Sequence, residues 1–144
     1  MEQQETFGLM GNMVALPVQK MKYVLYSRKS TESEERQILS IDSQIKEMLR
    51  LAEREGLEIV DIRRESHSAK DSGQRPVFKE ILEDIKRGRF NGILAWDASR
   101  ISRNAGDLGS IVDLMDRQLL FQIRTYGETY SKSPNEKFLI MYLC

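Results

Sequence analysis

Three short stretches carry serine and arginine together: Arg28-Lys29-Ser30-Thr31, then Ser66-His67-Ser68 followed by Arg75-Pro76, then Ser99-Arg100-Ile101-Ser102-Arg103. Arginine offers planar, bidentate donors that match phosphate oxygens, and it stays charged at any relevant pH. A serine among arginines is a candidate nucleophile for phosphoryl transfer. The guanidinium groups would favour the ionising hydroxyl and the charge of a phosphorane-like transition state. Taken singly, each stretch has an ordinary explanation. An Arg-x-Ser is usually a solvated loop, and Arg100 and Arg103, three apart, are usually surface charge. The chemical reading rests on bringing all three to one place.

The surrounding pattern supplies such a place. Tyr23 to Tyr26 is a short apolar run and reads as a buried strand. Ile38, Ile41, Ile45, Met48 and Ala52 recur at helical spacing, and Gly56 stands at the C-cap position. Leu57 to Ile62 reads as a second strand. Pro76 is a favoured first helical residue, and Phe78, Ile81, Leu82 and Ile85 mark a helix that Gly88 ends. Gly92 to Trp96 reads as a third strand, and Leu108, Ile111, Val112 and Met115 as a third helix. Leu119 to Tyr126 reads as a fourth strand, and Pro134 opens a last helix carrying Phe138, Leu139, Met141, Tyr142 and Leu143. This alternation predicts a three-layer α/β/α sandwich with a mostly parallel sheet. In such sheets, sites form beyond the carboxyl ends of the strands. The Ser/Arg stretches follow strands one, two and three.

Other polar and aromatic residues read more plainly. His67 is a loop residue, since no second His or nearby Cys completes a metal site. Asp97 and Glu65 are candidates for a carboxylate pair whose spacing the sequence leaves open. Trp96 and Tyr126 read as core or edge packing, and Lys86, Arg87 and Arg89 as a solvated helix end.

Composition limits the classes. At 144 residues and 40% hydrophobic, the chain suits one domain with a core. Twenty-two basic residues balance 22 acidic ones, so bulk charge would not drive nucleic-acid binding, and the positions of the arginines matter more than their number. The one cysteine, Cys144, builds no disulfide framework, and a reducing, cytoplasmic setting is expected. No apolar run reaches the length of a membrane-spanning helix. Residues 1–20, with Gly8, Gly11 and Pro17, show no period and read as an extension, natural or added by cloning, ahead of a domain over 21–144.

In order and content the motifs resemble the N-terminal catalytic domain of serine site-specific recombinases of the resolvase/invertase family. Tyr26-Ser27-Arg28-Lys29-Ser30-Thr31 is similar to the family's Tyr-x-Arg-x-Ser-Thr opening, and Ser40-Ile41-Asp42-Ser43-Gln44 to the glutamine-bearing segment after it. Ser68 through Arg75-Pro76 resembles the Ser-Gly…Arg-Pro loop, and Ser99-Arg100-Ile101-Ser102-Arg103-Asn104 the Asp-Arg-Leu-Ser-Arg-Asn motif. The resemblance covers about residues 21 to 143 and looks nearest to the large serine recombinases and integrases.

The resemblance implies DNA strand cleavage and exchange through a 5′-phosphoserine intermediate on Ser30, with neither metal nor ATP nor another cofactor. It implies that Arg28, Arg75, Arg100 and Arg103 bind the scissile phosphate, with Gln44, Ser68 and Ser99 supporting the site. The partners implied are double-stranded DNA, gripped through parts beyond this chain, and further copies, dimer to tetramer; no membrane is implied. Three departures stand out. Ser99 occupies the position usually held by aspartate, with Asp97 two residues earlier. Lys70 replaces a usual glycine in a loop one residue longer. The chain stops at Cys144, early in the long helix expected to form the dimer interface, so either a different oligomerisation or an exposed apolar patch is expected, together with weak DNA binding. The alternatives are a catalytically inactive resolvase-fold interaction or regulatory module, and an unrelated phosphoester hydrolase using Ser30.

Overall fold

The protein is described from a computed structural model, which covers residues 20–29, 40–66, 75–102 and 104–131. Five strands form one sheet in the order β2-β1-β3-β4-β5. They are β1 (Tyr23–Arg28), β2 (Ile59–Glu65), β3 (Gly92–Leu94), β4 (Gln122–Arg124) and β5 (Thr129–Tyr130). β1 to β4 run parallel, and β5 turns back antiparallel along β4. The helices are α1 (Ile41–Glu55), α2 (Pro76–Lys86) and α3 (Ala105–Asp116), with a 3-10 turn at Ala98–Arg100.

All six residues of β1 are buried because the strand has a neighbour on each side and helices over both faces. Its alternation divides the core in two. Tyr23 and Leu25 pack with Ile45, Met48, Leu51 and Ala52 of α1. Val24 and Tyr26 pack with Phe78, Ile81 and Ile85 of α2 and with Leu108, Ile111 and Met115 of α3. Each fully buried aliphatic side chain contributes about 1.5–3 kcal/mol. The expected three layers are thus present.

The helix signals work as local chemistry predicts. The Ser40 side chain accepts from the Ser43 amide at the N-cap of α1, and Gly56 ends the helix at φ 71°. Pro76 is the first residue of α2, where its missing N–H costs nothing. The described helix begins at Ile41; Ile38, the first residue of the helical period, lies outside the described residues.

The strand limits depart from expectation. β2 begins at Ile59 rather than Leu57 and runs to Glu65. Its register against β1 shifts between Tyr23 and Val24, so Asp61, Arg63 and Glu65 fall beside Val24, Tyr26 and Arg28, on the α2 side. Polar residues in those positions concealed the strand's second half. Arg63 meets the buried Asp84 of α2 at 2.7 Å, and Arg87 reaches the same carboxylate at 3.0 Å. Arg87 and Arg89 do stay solvated, as expected, yet both point at Asp84. β1 extends two residues beyond the apolar run, to Arg28.

β4 is shorter than the apolar stretch 119–126. Gln118, at φ 61°, makes a turn that sends Leu120 into the core before the strand starts. β5 was not anticipated, since two residues carry no period. The helix expected from Pro134 lies outside the described residues.

Candidate active site

β2 and β3 leave β1 on opposite sides, so the crevice at the carboxyl ends of β1 and β3 is the switch point of the sheet. β1 delivers Arg28 there, and β3 leads through Trp96 and Asp97 into the 3-10 turn bearing Ser99 and Arg100. Arg75 arrives from the third side, as the N-cap residue of α2.

Arg28, Arg75 and Arg100 are all buried, at 3%, 6% and 1% exposure, which places three cations in one poorly solvated spot. Such charges are tolerated only with hydrogen-bonding partners. Arg28 Nη2 donates to the Ser99 carbonyl at 2.6 Å, and its Nε to the Arg100 carbonyl at 3.2 Å. Arg75 Nη1 donates to that same Arg100 carbonyl at 2.9 Å, and its Nη2 to the Ile101 carbonyl at 2.6 Å. Guanidinium groups from two separate elements thus hold the backbone carbonyls of residues 99–101. Arg75 also pairs with Asp107 at 2.7 Å and lies 4.1 Å from the centre of the Phe78 ring.

Gln44 supports the end of β1 from α1. Its Nε2 donates to the Arg28 carbonyl at 3.2 Å, and its Oε1 accepts from Ser27 Oγ at 3.1 Å. Ser99 Oγ donates to Asp97 Oδ1 at 2.6 Å and accepts from Arg100 Nη1 at 3.1 Å. The structure therefore brings together Arg28, Gln44, Arg75, Ser99 and Arg100. Ser30, Ser68 and Arg103 lie outside the described residues, as does His67. Ser30 follows Lys29 directly, and Arg103 follows Ser102, so the clamped turn and the end of β1 lead straight into both.

Glu65 and Asp97 do not act as a carboxylate pair. Glu65, 1% exposed, accepts from the Tyr26 hydroxyl at 2.6 Å and from the Val77 and Phe78 amides at 2.9 and 3.1 Å. A carboxylate at the start of α2 satisfies amides that have no partner within the helix. Burial first, and then the bond to Glu65, pushes the Tyr26 hydroxyl far above the usual phenol range. Sequence reading missed this role and those of Asp107 and Asn104. Asn104 gave a signal, since it is an N-cap residue whose side chain accepts from the Asp107 amide at 2.9 Å. Trp96 and Tyr126 pack ring on ring at 4.8 Å, the edge packing that was expected.

Among the described residues no helix is long and apolar enough to cross a membrane. The architecture is shared with solved proteins. The N-terminal catalytic domain of TP901-1 integrase superimposes with a TM-score of 0.63 at 23% identity, over 79% of this chain and 83% of that one. A resolvase family site-specific recombinase from Streptococcus pneumoniae does so with 0.59 at 28% identity, over 80% and 79%. The C-terminal catalytic domain of ISC1926 TnpA, an IS607-like serine recombinase, gives 0.55 at 15%, over 73% and 70%. The family model described as "Resolvase, N terminal domain" matches residues 23–143, nearly the whole length. With its parallel sheet, its switch-point arginines and that match, the chain belongs to the resolvase N-terminal domain family, the catalytic domain of serine recombinases.

Proposed function

We propose that this domain cleaves and rejoins DNA strands with Ser30 as the nucleophile. The Ser30 hydroxyl oxygen attacks a backbone phosphorus, forming a P–O bond to serine. The bond from phosphorus to the 3′-oxygen breaks. The hydroxyl loses its proton and the departing 3′-oxygen gains one, leaving a 5′-phosphoserine and a free 3′-hydroxyl. The new linkage is again a phosphodiester, so the reverse attack by a 3′-hydroxyl rejoins DNA without an added energy source. Arg28, Arg75, Arg100 and Arg103 stabilise the phosphate charge, which grows in the transition state.

One observation supports this reading above the rest. Two buried arginines, Arg28 at the end of β1 and Arg75 at the cap of α2, converge on the single turn that carries the buried Arg100, and Ser30 lies two residues beyond Arg28 in the chain. Solvated charges scattered over a surface would have no reason to meet there. The substrate is double-stranded DNA and the working assembly an oligomer, dimer to tetramer, of the kind resolvase-type recombinases need for strand exchange.

A second reading, a resolvase-fold module without activity, also has an observation in its favour. The Arg28 and Arg75 forks donate to backbone carbonyls, so both residues already serve the architecture.

Covalent trapping separates the two. The whole chain, extended at its C-terminus by a DNA-binding module of known specificity, is incubated with a nicked duplex carrying that module's sites. A protease-sensitive protein–DNA adduct that vanishes with Ser30→Ala is the expected result. Absence of adduct from either protein, with DNA binding verified, overturns the catalytic reading in favour of the inactive module.

A further inference from the structure

The residue before Arg100 is a serine, so no carboxylate adjoins the buried guanidinium along the chain. One reaches it from two residues further back. Asp97 precedes the 3-10 turn in extended backbone, and its Oδ1 accepts from the Ser99 amide at 3.0 Å. The same oxygen accepts from Ser99 Oγ at 2.6 Å. Because that hydroxyl proton points at Asp97, the lone pairs of Oγ face elsewhere, and they accept from Arg100 Nη1 at 3.1 Å. Asp97 Oδ1 itself stands 3.7 Å from Arg100 Nη1. Carboxylate, hydroxyl and guanidinium form a chain in which each bond polarises the next.

We propose that Asp97 is a positioning residue which, through Ser99 Oγ, fixes the rotation of the Arg100 guanidinium in the active site. The inference rests on the reading of this site as a phosphate-binding centre. Arg100 is 1% exposed, so its planar head must be oriented by the protein, and a misaligned plane would present its donors to the wrong side of a phosphate. Asp97 is about half-exposed and can exchange its own water, whereas Ser99 hands its charge inward. The pair does in two steps what a carboxylate at position 99 would do in one.

The simpler role for Asp97 is a turn cap. Asparagine caps as well as aspartate. Asp97→Asn therefore preserves the cap and removes only the charge. The expected result is adduct formation slowed about tenfold or more, the effect of weakening a charge-assisted hydrogen bond. The DNA concentration for half-maximal rate and the urea midpoint should stay put. Ser99→Ala should slow the reaction similarly, and adding Asp97→Asn to it should change little further. Ser99→Asp in the Asp97→Asn background should restore the rate.

A second measurement needs no activity. The side-chain Nε–H resonance of Arg100, assigned with Arg100→Lys in the whole chain, should shift with Asp97→Asn and return with the added Ser99→Asp. A wild-type rate together with an unmoved resonance in Asp97→Asn overturns the proposal. Additive losses in the double variant, or no recovery with Ser99→Asp, overturn it too. If the unsubstituted protein forms no Ser30-dependent adduct, the catalytic reading fails by itself. The resonance then decides alone whether Asp97 holds Arg100.

Discussion

Replacing Glu65 by glutamine removes one charge from beneath three donors and leaves the volume unchanged. The Tyr26 hydroxyl, the Val77 amide and the Phe78 amide all end on this carboxylate, at 2.6, 2.9 and 3.1 Å. Hydrogen bonds to a charged group are worth about 1.5–3 kcal/mol each, against about 1 for neutral ones. Glutamine has one carbonyl oxygen, so one of the two carboxylate positions becomes an N–H₂ that faces a donor. Weakening the bonds retained and losing one costs about 3 kcal/mol, including the lost attraction of a negative charge for the α2 N-terminus. That is a large part of the roughly 5–15 kcal/mol that holds a domain folded.

Urea titration should therefore show a lower midpoint for Glu65→Gln, with an unchanged slope. The loss should couple to Tyr26. Tyr26→Phe, costly in the native protein, should cost about 1 kcal/mol less once Glu65 is glutamine. A loss under about 0.5 kcal/mol, the range of ordinary surface changes, would refute the reasoning. So would additivity with Tyr26→Phe. The site should feel the change as well, because the first turn of α2 carries Arg75 at its cap.

Alkaline pH tests the same contact from the other side. Burial and the bond to Glu65 raise the Tyr26 hydroxyl, and burial raises Tyr23. An unfolded tyrosine titrates near pH 10, so the contribution is complete below that pH. Above it the unfolded chain loses the Tyr26 proton while the native state keeps it, and stability falls by about 1.4 kcal/mol per pH unit for that group, with Tyr23 acting in the same direction. Urea titrations at rising pH should show a shallower decline for Tyr26→Phe; parallel declines would sink the idea. Arg75→Lys keeps the charge but not the fork. Since Arg75 donates to two carbonyls and to Asp107, the loss should be about 2 kcal/mol in urea, and Ser30 adduct formation should disappear. Native-like stability in the lysine variant would mean that bidentate geometry is irrelevant there.

Local signals determined much of this protein in advance. Apolar residues at helical spacing, Pro76 and Gly56 located three helices, because caps and amphipathic faces depend on neighbours within a few residues. The alternation of strands and helices implied the parallel sheet, and the order of the Ser/Arg motifs implied the family, which the match over 23–143 bears out. Three things escaped because they depend on residues far apart in the chain. The register shift in β2 turned Arg63 and Glu65 inward, so charged residues stood where a buried strand is expected to be apolar. The short antiparallel β5 exists only because β4 offers it an edge. Arg28 and Arg75, expected at a phosphate, also hold the backbone carbonyls of residues 99–101, contacts that no local pattern announces. Sequence set which residue types reach the switch point. Only the packed structure decided which donors meet which acceptors, since a buried guanidinium takes whatever partners the fold places within about 3 Å.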